Sequence, residues 1–219
     1  MNLNIDSIDT LIFDLGGVFI RLTGVSKMME WTHGRFTVDQ LWEIWFNSDH
    51  VKRFETGIID SRSFAFGIIR EYGMDVDESE FLKHFTSWAS EMFPGAHRLL
   101  TRLKRKYTLV SLSNTNPIHW DILCDRFRIN QFFHHNFPSH VIGRVKPEID
   151  TFNYVLSQLE SPPERIIFFD DNVANISTAK QSGIHAFRVE GVDGLNEQLN
   201  QLNMVEYLDS ELAPDLNHH

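Results

Sequence analysis

Three short apolar runs end abruptly in polar residues, and together they lay out a sheet. Leu11-Ile12-Phe13 stops at Asp14, with Gly16 and Gly17 one residue beyond; Tyr107–Leu112 stops at Ser113-Asn114; Ile166–Phe169 stops at Asp170-Asp171-Asn172. Runs this short and this largely apolar are the pattern of strands buried on both faces of a parallel sheet. Stretches of helical period lie between and after them, at about Ile118–Phe127, Glu148–Leu159, Asn175–Ser182 and Gly194–Leu208, with short strands expected at Phe137–Val141 and His185–Val189. Strand and helix alternating at this spacing predict an α/β fold, a Rossmann-like parallel sheet with helices on both faces.

The segment from Leu22 to Phe93 breaks that rhythm. It is rich in Trp, Phe and Met, carries helical spacing in Leu41–Phe46 and again in Ser63–Tyr72, and shows no obvious strand. Gly57–Phe64 reads as a turn feeding a helix with Asp60 or Ser61 as its N-cap, and Pro94-Gly95 marks the end of the segment. The expected organisation is therefore a core of residues 1–21 and 94–219, with a helical cap, 22–93, inserted after the first strand. Trp31, Trp42, Trp45 and Trp88 are expected mainly as the packing of that insert.

A chain of 219 residues can bury a sizeable core. Its net charge of −10 and the lack of any Lys/Arg run argue against a nucleic-acid partner. No apolar run is long enough to span a membrane, and the first residues carry Asp6 and Asp9 where a signal peptide would be basic. Cys124 is alone, so no intramolecular disulfide is available, and it is expected as a small buried hydrophobe. These features fit a cytoplasmic protein, a monomer or weak dimer. Asn217-His218-His219 reads as a loose tail rather than a metal site.

Candidate chemistry sits where the strands end. In open α/β sheets ligands bind beyond the carboxyl ends of the strands, and glycines there let an oxyanion reach the backbone. Asp14 with Gly16 and Gly17 occupies such a position, although read alone it fits an acidic turn as well. Ser113-Asn114, Lys146-Pro147 and Asp170-Asp171 supply hydroxyl, amide, ammonium and paired carboxylates at three further ends. Each has a bland counterpart: a turn former, a solvated helix start and an acidic N-cap.

In this order, Asp14, Ser113-Asn114, Lys146-Pro147 and Asp170-Asp171 resemble the four motifs of the haloacid dehalogenase superfamily, most of whose members are magnesium-dependent phosphatases. The stretch from Asp170 to Asn175, Asp-Asp-Asn-x-x-Asn, is most similar to the branch of small sugar-phosphate phosphatases. The resemblance implies that Asp14 attacks phosphorus and forms an aspartyl-phosphate. It also implies that Asp14, the Gly16 carbonyl, Asp170 and Asp171 hold Mg²⁺. Lys146 would pair with the nucleophile and the phosphoryl group, while Ser113, Asn114 and the backbone at Gly16 and Gly17 receive phosphoryl oxygens. The implied partner is a small phosphate ester, closed in by the cap. Such an assignment is chemically coherent: the nucleophile divides one hard step into two, Mg²⁺ needs about six oxygens of which one or two carboxylates suffice, and a cation relieves the repulsion between adjacent aspartates.

One position departs from the pattern. Most of these phosphatases carry a second aspartate two residues after the nucleophile, as general acid and base, and here that residue is Gly16. Such assistance contributes about 10²–10⁴-fold. A cap residue, the substrate's own hydroxyl or a good leaving group are substitutes; Arg21, Lys27, Arg53 and Glu55 are polar cap candidates for reaching the substrate, and His33, His50 and His84 are possible acids. His134, His135 and His140 lack metal-ligand spacing. The departure also leaves open a 2-haloacid dehalogenase, which attacks carbon without a metal, and a catalytically silent member that binds a phosphorylated ligand or a partner. Retention of Asp170 and Asp171 favours phosphoryl transfer over halide displacement.

Overall fold

The computed structural model describes residues 3–204. The chain enters through strand β1 (Thr10–Phe13) and strand β2 (Ile20–Leu22). Five helices follow: α1 (Val25–Trp31), α2 (Val38–Asn47), α3 (Asp49–Glu55), α4 (Ser61–Tyr72) and α5 (Glu78–Phe85). Then come β3 (Ala89–Met92), α6 (Ala96–Leu103), β4 (Thr108–Ser113), α7 (Pro117–Asp125), β5 (His135–Pro138) and α8 (Ser139–Ile142). The described chain closes with α9 (Ile149–Ser157), β6 (Ile166–Asp170), α10 (Val173–Gln181), β7 (His185–Arg188) and α11 (Gly191–Gln201).

Five strands form a parallel sheet in the order β5-β4-β1-β6-β7. The apolar runs are explained by their place in it, since β1 lies between β4 and β6 and every one of its residues is buried. Its side chains alternate between two apolar layers. Leu11 and Phe13 join Leu109, Ile167, Phe169 and the buried faces of α6 and α11, while Ile12 joins Val110, Phe168, Phe152 and Ile176 on the other side. Sequence order reverses at β1, so a crevice opens at its carboxyl end, with β4 on one side and β6 on the other.

The helices between β2 and β3 build a separate core from Trp31, Trp45, Phe54, Phe64, Phe81, Phe85 and Trp88. Side chains cap four of them: Thr37 accepts from the Gln40 N–H, Ser48 from the Val51 N–H, Asp60 from the Ser63 N–H at 2.8 Å, and Asp77 from the Glu80 N–H. Asp60 rather than Ser61 is thus the cap of α4.

Several boundaries differ from the sequence expectation. The segment read as strand-free holds β3, which pairs antiparallel with β2 in a short ribbon; three- and four-residue strands with mixed exposure leave no alternating signature. The expected strand at Phe137–Val141 starts two residues earlier and ends at Pro138, after which Ser139–Ile142 make one helical turn closed by Gly143 at φ 66°. Cys124 is half-buried rather than buried. The last helix begins at Gly191; the expectation that it runs to Leu208, and the tail Asn217-His218-His219, lie outside the described residues. No helix among the described residues is long and apolar enough to cross a membrane.

Candidate active site

Asp14 stands one residue past β1 at the crevice. Its N–H donates to the Phe169 carbonyl at 2.9 Å, extending the β1–β6 ladder by one rung, and its Oδ1 accepts from the Leu15 N–H at 2.7 Å, which fixes the carboxylate. The glycines that follow have different work. Gly17 takes φ +69°, and a Cβ on it would fall 2.1 Å from Asp171 Oδ2, so only glycine lets the end of β6 come this close. Its N–H donates to the Ile20 carbonyl, and its own carbonyl accepts from the Gly191 N–H. A Cβ on Gly16 would meet only the tip of Leu22, at 3.2 Å; the direction in which a side chain at 16 would grow is filled by a residue of β2.

Lys146 brings the third segment in. The residue is buried, its Nζ lying 3.0 Å from Asp14 Oδ1 and 2.6 Å from Asp170 Oδ2. Burial works against its charge, but Asp14 and Asp170 outweigh that and hold the ammonium above its usual range. The carboxylates are under the opposite strain. Burial, reinforced by Asp170 and Asp171, pushes Asp14 up to about 7 in spite of Lys146, and burial with Asp170 pushes Asp171 up to about 6. One ammonium does not balance three carboxylates.

The two aspartates at the end of β6 are not equivalent. Asp170 is fully buried and accepts from the Asn172 N–H at 2.7 Å, from Asn175 Nδ2 at 3.0 and 2.9 Å, and from Lys146 Nζ. No side-chain donor meets the Asp171 carboxylate among the described residues. Oxygens of Asp14, Asp170 and Asp171 lie within 4.8 Å of one another. An under-neutralised, all-oxygen cluster of this size suits a hard divalent cation such as Mg²⁺.

Asn114 serves Lys146 rather than facing outward. Its Nδ2 donates to the Lys146 carbonyl and its Oδ1 accepts from the Lys146 N–H, an arrangement the sequence reading missed because no local pattern marks it. Ser113 is buried at the end of β4. Asn175 was legible only as part of a motif, with no role attached. His119 carries no marker in the sequence: its Nε2–H donates to the Phe85 carbonyl at 2.7 Å, which leaves Nδ1 to accept from Asn116, so it joins α7 to the last residue of α5.

Of the polar residues expected to reach inward from the helical insert, three do something else. Arg21 pairs with Glu91 at 2.9 Å, Lys27 with Glu30 at 2.7 Å and Arg53 with Asp49 at 3.8 Å. Glu55, the last residue of α3, is half-buried, and burial raises its carboxyl to about 7, with Lys146 opposing and Asp14 adding to the rise. His33 lies exposed beside Asp75, His50 packs on Gly67 and His84 on Trp31. Trp31, Trp45 and Trp88 are core residues, and Trp42 stacks on Phe46. His134 accepts from the Leu109 N–H and His135 stacks on Phe137.

Comparison with known proteins bears on the family and the fold. A model of the haloacid dehalogenase-like hydrolases matches residues 8–183. D-ribitol-5-phosphate phosphatase of Bacteroides thetaiotaomicron is 22% identical over 204 residues, covering 90% of this chain and 99% of that one. Flavin mononucleotide hydrolase 1 of Arabidopsis thaliana is 26% identical over 151 residues, 69% of this chain. The chain spans 61% of that hydrolase and 17% of a larger relative from Aspergillus calidoustus. A HAD family enzyme of B. thetaiotaomicron, solved with magnesium and inorganic phosphate, superposes with a TM-score of 0.69 at 28% identity, over 84% of this chain and 94% of that one.

Proposed function

We propose, for a chain that belongs to the haloacid dehalogenase-like hydrolase family, that it is a magnesium-dependent phosphatase of a small phosphorylated metabolite, sugar phosphate-like, with Asp14 as nucleophile. The observation that carries this reading is the meeting of Asp14, Asp170 and Asp171 within 4.8 Å, with the Lys146 ammonium 3.0 Å from Asp14. A phosphate monoester is polyanionic, and hydrolysis requires that charge to be neutralised while a nucleophile is aligned. Displacement of halide from carbon builds no such charge, which makes a cluster of three carboxylates superfluous to a dehalogenase.

In this reading Asp14, the Gly16 carbonyl and Asp171 hold the ion, with Asp170, already saturated by Lys146, Asn172 and Asn175, tying the ligand set to the lysine. Bound there, Mg²⁺ supplies neutralisation of the Asp14 and phosphoryl charges. Lys146 orients Asp14 and meets a phosphoryl oxygen as a fixed positive charge. Ser113, with the backbone near Asn114 and Gly16, receives further phosphoryl oxygens. Asp14 forms the O–P bond as the ester P–O bond breaks, and water then cleaves the aspartyl-phosphate. Residues 22–93 act as a cap that excludes bulk water and selects the leaving group.

Hydrolysis of p-nitrophenyl phosphate, with and without magnesium, beside an Asp14→Asn variant, tests the proposal. Magnesium-dependent release lost in the variant supports it. Release that survives in the variant, metal-independent release of halide from 2-haloacids, or an inert protein overturns it.

A further inference from the structure

We infer that Glu55 takes over the proton transfers that position 16 cannot perform, an inference that rests on the phosphatase reading above. The need arises from Gly16 and from Leu22, whose side chain occupies the space beside it. The placement comes from the way α3 is fastened to the core. Lys52 Nζ lies 2.5 Å from Glu148 Oε1, and the turn after α3 lies so close to α8 that a Cβ on Gly57 would stand 2.6 Å from the His140 carbonyl oxygen. Glu148 and α8 bracket the loop carrying Lys146, so the last turn of α3 is held over that loop.

Phe54 fixes the rotation of the helix. It is buried and stacks on Phe64 with ring centroids 4.4 Å apart, while Lys52 and Arg53 stay exposed and Glu55 is half-buried, near enough to Lys146 and Asp14 to feel both charges. The charged and titratable groups around it are Asp14 and Lys146 at the site, His140 of α8, and Lys52 and Arg53 of its own helix, paired with Glu148 and Asp49. Among the described residues no hydrogen bond or ion pair engages the Glu55 carboxyl. Its proton is free to move, and a carboxyl titrating near 7 is suited to both giving and taking one.

As Asp14 oxygen bonds to phosphorus and the ester P–O bond breaks, the leaving oxygen takes the Glu55 proton and departs as an alcohol. Water then bonds to phosphorus while the Asp14–phosphorus bond breaks; its proton returns to Glu55, and inorganic phosphate, the Asp14 carboxylate and protonated Glu55 result.

The test compares full-length wild type and Glu55→Gln, with saturating magnesium, on two esters. Glycerol phosphate must leave as an alkoxide that needs a proton, whereas p-nitrophenolate leaves without one. The expected loss in kcat/KM is about 10²–10⁴-fold on glycerol phosphate, the usual contribution of general acid catalysis, and at least tenfold smaller on p-nitrophenyl phosphate. The fall of wild-type kcat/KM toward alkaline pH on glycerol phosphate should vanish in the variant, and Glu55→Asp should recover part of the loss. Equal losses on both esters, an unchanged pH profile, or no loss overturn the inference while leaving the phosphatase reading intact if Asp14→Asn is inactive. A wild-type protein inert on both esters overturns both. The magnesium-induced rise in Tm, retained in Glu55→Gln, shows that the variant is folded with its metal site whole.

Discussion

Asn114 grips both backbone polar groups of Lys146, donating from Nδ2 to its carbonyl at 2.9 Å and accepting its N–H on Oδ1 at 2.8 Å. The lysine is thus held at its main chain by one residue and at its ammonium by Asp14 and Asp170. Truncating Asn114→Ala leaves two part-buried groups unpaired, at a cost of about 1–3 kcal/mol. Thermal unfolding should show a lower Tm, and kcat should drop further than the stability loss alone explains, because Lys146 is no longer aimed.

The crowding of carboxylates makes a signed prediction about pH. In the metal-free protein Asp14 is raised to about 7 and Asp171 to about 6, above their unfolded values near 4. The folded state then binds more protons than the unfolded state across that interval, so the metal-free protein should lose stability as pH rises from about 4 to 7. Magnesium should reverse the trend. At 100 times its Kd it adds about 2.7 kcal/mol, or very roughly 5–10 °C in Tm, and the gain should be larger at pH 8 than at pH 5. Thermal scans with and without magnesium at the two pH values check this; a magnesium shift independent of pH contradicts it.

Asp14→Asn should uncouple stability from activity. Removing one charge from the cluster relieves the cost of burying it and the repulsion from Asp170 and Asp171, so the metal-free variant at pH 8 should unfold at or above the wild-type Tm while the magnesium-induced shift shrinks. Parallel calorimetry and activity assays provide the comparison.

Adjacent glycines should respond unequally to the same change. Gly17→Ala puts a Cβ 2.1 Å from Asp171 Oδ2 at a positive φ, and should weaken magnesium binding at least tenfold and cost stability. Gly16→Ala meets only the flexible end of Leu22 at 3.2 Å and should keep magnesium affinity within a few-fold. Titration calorimetry of both variants separates the two.

The parts of this fold that are legible in the sequence are those written locally. A strand buried on both faces is apolar through its interior, so β1 and β6 announce themselves, and the polar residues that end them mark the crevice. Asp60 announces α4 because a cap acts over three residues. The β2–β3 ribbon is invisible because its partners are some 70 residues apart, as the Arg21–Glu91 pair shows, and each strand is too short for a period. The grip of Asn114 on Lys146 spans 32 residues and the His119–Phe85 bond 34, distances over which no spacing rule operates. Glu55 was one of four polar candidates of equal standing; only the anchoring of α3 separates it from the three that turn to surface partners.

The ribbon has a modular consequence. Exit from and return to the sheet run side by side through β2 and β3, and what lies beyond them packs around its own aromatic residues rather than those of the sheet. Such a two-stranded stem can be lengthened, shortened or grafted onto a different helical array while the five parallel strands, and the carboxylate cluster at their rim, keep their register. Selectivity can in this way drift without re-laying the foundation on which the chemistry stands.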